Sequence, residues 1–320
     1  LNRLLKEIYD DCKPLVIGDA DVMKEAVRIA NVRLDVNPIS SPKMAKFNYG
    51  SMDILDLGNI DLSRLKMGEP NPMCGKASVE YIEKAVSLAM RGEIDAIATA
   101  PISKEAINMA GYNYPGHTEL LAHLTRARDY AMMLIADNLR VSHVTTHTSL
   151  REAINQIKKE RILKVIKLTH NTLKALGIKN PKIAVAGLNP HSGEGGLFGR
   201  EEIEEITPAI EKARRMGMRV EGPIPADTVF VRARGGAYDA VVAMYHDQGH
   251  IPVKLIGLEW DERSGSWIRV SGINMTMGLP IIRTSVDHGT AYGKAGKGTA
   301  NPESMIEAIK FASKLSRLSH

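Results

Sequence analysis

Three histidines in this chain share one kind of position. His147, His191 and His246 follow short apolar runs, in the contexts Val-Thr-Thr-His, Gly-Leu-Asn-Pro-His and Ala-Met-Tyr-His-Asp. The runs at 183–187 (Ile-Ala-Val-Ala-Gly) and 240–244 (Ala-Val-Val-Ala-Met) have the continuous apolar character of buried parallel strands. Open α/β sheets bind ligands beyond the carboxyl ends of their strands. Three imidazoles delivered there from separate strands could converge on one metal ion. Neutral imidazole suits zinc, nickel, cobalt and iron, and a catalytic ion keeps one position for substrate. A lone histidine is more often structural than ligating, and His123, His170 and His320 take that plainer reading. Asp247, next to His246, is open to three readings: a carboxylate that orients the imidazole, a base, or a turn residue.

A second set of residues suits anions. His117 and Thr118 sit in Pro-Gly-His-Thr-Glu, a turn opening a helix, where they would meet an anionic substrate. The plainer reading makes Thr118 the cap of that helix. Lys254 and Arg283 are cations in apolar segments, so each needs a partner: a protein carboxylate, or a substrate phosphate or carboxylate. Gly193-Glu-Gly-Gly196 and Gly199 lead into a helix expected over 201–216, whose first amides can hold an anion; a flexible turn is the alternative. Asp287-His-Gly-Thr-Ala291 and Gly293-Lys-Ala-Gly296 form a small-residue loop that a cofactor can approach closely. No Gly-x-Gly-x-x-Gly occurs, which disfavours a standard Rossmann site.

The elements that must position these groups alternate between strand and helix, which predicts a parallel-sheet α/β protein. Strands are expected at 15–18, 94–100, 183–187, 238–244 and 281–285, and helices at 20–30, 77–91, 150–176, 201–216 and 302–315. Both tryptophans lie in 259–272, around Ser-Gly-Ser, which reads as an exposed hairpin. A length of 320 residues suits two α/β lobes. With aromatics at 5%, aliphatic residues and the 15 methionines must fill the cores. The net charge of +5 comes from Lys and Arg interleaved with Glu, the pattern of solvated helix faces, so no nucleic-acid partner is expected. Two cysteines with no paired spacing fit reduced thiols in the cytoplasm. No apolar run approaches the ~20 residues that cross a bilayer, so no membrane partner is expected. The opening segment resembles an amphipathic helix more than a signal peptide and lacks an initiator Met, which points to processing or truncation. These residues describe a metal-dependent α/β enzyme acting on an anionic small molecule. A metal-dependent hydrolase or transferase and a non-catalytic sugar-phosphate sensor are the competing classes.

Several longer motifs then occur in order: Gly116-His-Thr-Glu119, Val144-Thr-Thr-His147, Gly187-Leu-Asn-Pro-His-Ser-Gly-Glu-Gly-Gly196, Gly222-Pro-Ile-Pro-Ala-Asp-Thr228, Tyr245-His-Asp-Gln-Gly249, Gly278-Leu-Pro280 and Arg283-Thr-Ser-Val-Asp-His-Gly-Thr290. Together they closely resemble the 4-hydroxythreonine-4-phosphate dehydrogenase family, from about residue 10 to the end. The resemblance implies a two-lobed fold like isocitrate and isopropylmalate dehydrogenases, with a cleft between lobes. Lobe 1 would comprise 1–115 and 285–320, and lobe 2 would comprise 116–284. It implies His147, His191 and His246 as ligands of one divalent ion (Zn, Mg, Mn, Co or Ni), completed across a homodimer interface. His117, Thr118, Lys254, Asn274 and Arg283 become substrate contacts, with Asp247 as proton acceptor and Lys254 also catalytic. Asn189 and the loop Asp287, His288, Gly289, Thr290 and Ala291 become contacts to NAD or NADP.

The implied reaction is metal-assisted oxidation of a hydroxyl, with hydride passing to NAD, to a β-keto acid that loses CO2. Two departures stand out. The family's usual strand and Gly-Asp-Pro-x-Gly-x-Gly-Pro-Glu opening are missing before Leu15, which implies an incomplete chain or a different lineage. The stretch 257–274 is longer than in the vitamin B6 enzymes. Gly249-His-Ile-Pro-Val-Lys254 looks more like the branch that oxidises D-threonate or D-erythronate 4-phosphate to dihydroxyacetone phosphate. The two substrate types differ at C2, amino against hydroxyl.

Overall fold

Local signals explain the amino-terminal elements of the computed structural model, which describes residues 8–263 and 265–319. After β1 (Val16–Gly18), Asp19 caps α1 (Ala20–Ala30) by accepting from the Asp21 and Val22 amides, and left-handed Asn31 ends it. β2 (Asp35–Ile39) and β3 (Ser51–Asp56) complete a three-stranded parallel sheet in the order β1-β3-β2. The helix expected from 77 starts earlier, as α2 (Pro72–Met90), because Asn71 caps it and Pro72 occupies its first turn. β4 (Ala96–Thr99), α3 (Lys104–Met109) and α4 (His117–Thr125) follow.

β5 (Ala131–Ala136) and β6 (Leu139–His143) then form an antiparallel hairpin turned at Asp137, whose φ is 51°. The helix expected over 150–176 is two helices, α5 (Leu150–Gln156) and α6 (Lys159–Ala175). Ile157 breaks it by turning into the core, and Glu205 accepts the Lys159 amide at 2.7 Å. β7 (Lys182–Ala186) precedes the glycine-rich loop. The helix expected at 201–216 opens with a wide turn over Glu202–Ile206 and becomes regular only in α7 (Thr207–Arg215). Pro208 has no amide to give the Glu204 carbonyl, which removes one regular helical bond there.

β8 (Arg219–Ile224), α8 (Ala226–Arg234), β9 (Ala240–Ala243) and α9 (His246–Gly257) come next. β10 (Leu258–Asp261) and β11 (Ser266–Val270) form the expected hairpin, with Trp260 and Trp267 edge to face at 5.1 Å and about half exposed. β12 (Ile273–Met277), β13 (Ile282–Val286) and α10 (Glu303–Ser319) close the chain.

The chain divides into two compact units, Leu1–Ala127 with Pro280–Ser316, and Arg128–Leu279 with Arg317–His320. The crossings expected at 115/116 and 284/285 therefore fall at 127/128 and 279/280. Helix α4 packs on α2, so it belongs with the first unit. That unit also holds the parallel pair β4 and β13. In the second unit the strands run β12-β5-β6-β9-β7-β8. The purely parallel expectation is corrected here: β6, β9, β7 and β8 are parallel, whereas β5 lies antiparallel to both β6 and β12. A two-residue turn can join strands only antiparallel. Val141, Val185, Val241 and Val242 are fully buried, each worth about 1.5–3 kcal/mol relative to exposure. This rigid centre fixes where the strand ends point.

Candidate active site

Adjacent parallel strands β6, β9 and β7 lead to His147, His246 and His191 respectively. Two of those exits are tied together. The Val144 amide donates to the Ala243 carbonyl at 2.9 Å, and Thr145 donates to the Met244 carbonyl from its amide (3.2 Å) and Oγ1 (2.9 Å). Half-buried Arg161 donates to the Val144 carbonyl at 2.9 Å and to the Tyr130 carbonyl at 2.9 Å, bracing the same turn from behind. His147 and His246 then face each other with ring centroids 5.7 Å apart. Two imidazoles on one tetrahedral ion would place their centroids roughly 5–6 Å apart, given metal–nitrogen bonds of about 2.0–2.1 Å. The two rings wall an open concavity of about 520 Å³, with Thr146, Thr148, Tyr245 and Asp247 also lining it.

Asp247 decides the His246 tautomer. Its Oδ1 lies 2.7 Å from His246 Nδ1, and an ionised carboxylate only accepts, so Nδ1 donates and Nε2 carries the lone pair. That is the pairing by which carboxylates orient metal-binding imidazoles. Of the three readings of Asp247, the geometry favours orientation. The donor set therefore suits a divalent ion of the zinc, cobalt or nickel type.

The set is not closed, however. Among the described residues no three His, Cys, Asp or Glu side chains gather closely enough to hold a metal. His191 starts a run of left-handed residues, 191–196, in which His191, Ser192 and Glu194 all have φ between 44° and 54°. Non-glycine residues take this region at a cost, and such strain clusters at functional sites. Glu202, buried, holds the loop by accepting the Leu188 and Asn189 amides at 2.7 Å each. A side chain at Gly187 would strike Ser192 Oγ at 2.7 Å, so the loop's fold requires glycine there. Asn189, expected at the cofactor, spends its amide nitrogen on Glu201 and Glu202, each at 2.8 Å. Gln248, also buried, donates to the Gly187 carbonyl and accepts from the Met244 amide, both at 2.7 Å. It thereby couples the start of α9 to the His191 loop.

Two further histidines join the group. His250, one turn along α9, stacks on His246 at 3.5 Å, and His143 lies 4.7 Å from His250. Burial pushes His250 down to about 4 and His143 well below the ordinary histidine value, with neighbouring imidazoles adding to both shifts. Lys254 follows on the same helix, close enough to His250 to depress it further. Asn274, in β12, donates to Met132 Sδ at 3.0 Å.

The anion-suited residues of the first unit behave differently. Arg283, in β13, is 2% exposed and donates to Thr99 Oγ1 from Nε (3.2 Å) and Nη2 (2.7 Å). Burial lowers its pKa to about 10, with Glu119 opposing the shift. His117 opens α4; burial, then Arg283, push it down to about 3, and its buried Nε2 has no hydrogen-bond partner among the described residues. Gly116, not Thr118, occupies the cap position of α4, and no side chain caps it. A neutral histidine beside a buried guanidinium suits a substrate phosphate or carboxylate. The loop from Asp287 to Ala291 follows β13, with His288–Ala291 exposed, Ala291 left-handed and the Asp287 amide donating to Ser304 Oγ at 3.2 Å.

His143, His250, Gln248, Arg161 and Glu202 are absent from the sequence expectations. His250 alone carries a visible signal, four residues after His246 on one helix. The others act through long-range contacts that spacing does not encode.

Known proteins resemble this chain over most of its length. A family profile described as "Pyridoxal phosphate biosynthetic protein PdxA" matches residues 10–312. The "Putative D-threonate 4-phosphate dehydrogenase" of Oceanobacillus iheyensis is 49% identical over 312 residues, covering 97% of this chain and 90% of the relative. The 4-hydroxythreonine-4-phosphate dehydrogenase of Desulforapulum autotrophicum is 49% identical over 306 residues, 95% of this chain and 87% of the relative. The solved structure of 4-hydroxythreonine-4-phosphate dehydrogenase from Klebsiella pneumoniae superimposes with a TM-score of 0.84 at 44% identity. That match covers 94% of this chain and 88% of the other. Matched length and identity together show that the chain belongs to the PdxA family and is a dehydrogenase.

Proposed function

We propose that this dehydrogenase is a cytoplasmic homodimer that uses NAD and one divalent metal ion to oxidise a 4-phosphorylated four-carbon hydroxy acid. The product is a β-keto acid that loses CO2. The observation that carries the reading is the pair His147 and His246, 5.7 Å apart over an open concavity, with Asp247 holding the His246 tautomer. When bound, the metal supplies Lewis-acid polarisation of the substrate hydroxyl. The nicotinamide supplies the hydride acceptor.

The chain's own residues do the rest. Arg283 neutralises a phosphate or carboxylate, and His117, neutral at pH 7, hydrogen-bonds beside it without adding charge. Thr118 offers a hydroxyl from the first turn of α4. Lys254 provides a cation one turn beyond His250 and takes the role of proton carrier, and Asn274 orients a polar group. His191 supplies the third imidazole when the dimer assembles. The loop Asp287–Ala291, exposed from His288 on, receives the adenosine side of NAD.

Both named relatives are equally identical to this chain, so D-threonate 4-phosphate and 4-hydroxythreonine 4-phosphate are assayed side by side. NADH absorbance grows with one of them and stops on chelation. Absence of NAD reduction with both would refute the reading.

A further inference from the structure

Beyond Asp247, His246 has a second neighbour that spacing and family resemblance do not assign. The His250 ring lies 3.5 Å from the His246 ring at an interplanar angle of 13°, a parallel stack. Its Nδ1 is 2.9 Å from the His246 carbonyl oxygen, which can only accept, so His250 donates there. The His250 pose is itself determined from below. His143, the last residue of β6, is completely buried and meets His250 at 4.7 Å. A side-chain carbon at position 249 would sit 2.3 Å from His143 Nε2, so glycine at 249 is what lets α9 close over this ring. Neither ring nitrogen of His143 makes a hydrogen bond of good geometry among the described residues. A buried polar ring in that state is costly, and an apolar side chain would not incur the cost.

We infer that His250 is a positioning residue that holds the His246 ring in its metal-binding pose, with His143 as the buried stop that fixes His250. The inference rests on the metal reading given above. A partly exposed histidine at a helix start would otherwise sample several rotamers, and an incoming ion would have to freeze it. Stacking on one side and Asp247 on the ring edge remove that freedom before the ion arrives. Groups that orient metal ligands typically change affinity 10- to 100-fold when removed.

The test is calorimetric titration of the metal-stripped full-length dimer with Zn2+, with thermal midpoints recorded beside it. His250→Ala is expected to bind roughly tenfold more weakly at unchanged stoichiometry. His250→Phe, which keeps a flat ring against His246, is expected to recover most of that loss. His143→Leu is expected to weaken binding while raising the thermal midpoint, an opposition that a purely structural role would not produce. Wild-type affinity in His250→Ala, or a His250→Phe protein no better than the alanine variant, overturns the inference. His246→Ala keeps the two readings apart. If it binds metal like the wild type, the metal reading itself fails. If it loses metal while His250→Ala does not, only the positioning role fails.

Discussion

In the second unit His147 and His191 are exposed and His246 half-exposed beyond strand ends, and the pose of His246 comes from contacts: Asp247 at 2.7 Å and a ring stacked at 3.5 Å. In the first unit Arg283 is buried and His117 is half-buried with its Nε2 covered, and their behaviour comes from desolvation, which lowers one to about 10 and the other to about 3. Under the proposed function the contrast follows from what each set would do. A metal ligand needs a fixed lone pair and an open approach, so orientation matters and burial would obstruct. A group that grips an anion gains strength where water is scarce, because the same charge attracts more strongly at low dielectric.

This contrast can be broken first at Arg283. Arg283→Leu removes the buried cation, and its thermal midpoint is recorded beside the kinetics to separate loss of fold from loss of the anion contact. The KM for a phosphorylated substrate is expected to rise about 10- to 100-fold, the range for losing a charge-assisted hydrogen bond. Arg283→Lys should not restore it, because an ammonium cannot reproduce the fork held on Thr99. A KM unchanged in Arg283→Leu would remove the anion site from the account.

A smaller effect sharpens the contrast through pH. His117 is held at about 3 against an ordinary 6.5, so at pH 5 the folded chain keeps it neutral while the unfolded chain protonates it. The unfolded state then binds more protons. Stability is therefore complete above 6.5 and is lost as pH falls towards 3, by at most about 1.4 kcal/mol per pH unit for this group. His250 and His143 act in the same direction. Urea unfolding at pH 7.5 and 5.5 should show the loss, and His117→Asn should reduce it. Equal stability of the wild type at both values would contradict the desolvation argument.

Much of the second unit's architecture is legible in the sequence because buried central strands are continuous apolar runs; 183–187 and 240–244 needed no further context. The β5–β6 hairpin is also written there, as Asp137-Asn138 between apolar segments, but its six apolar residues in a row hide the alternation that marks a strand. The break at Ile157 is not legible, since local propensity favours one helix and only packing turns that residue inward. The same holds for the site. Histidines after strands can be read from order alone. Gln248 bridging Gly187 and Met244, or Arg161 bracing the Val144 turn, depends on which strands become neighbours.

In the proposed function His147 and His246 bind one ion between them. Zn2+ titration of the metal-stripped protein tests it most directly, with wild type, His147→Ala and His246→Ala compared under one buffer condition. Saturable uptake is expected for the wild type, and for each variant a loss larger than the roughly 10- to 100-fold that follows removal of a ligand-orienting group. Wild-type affinity in both variants would contradict it.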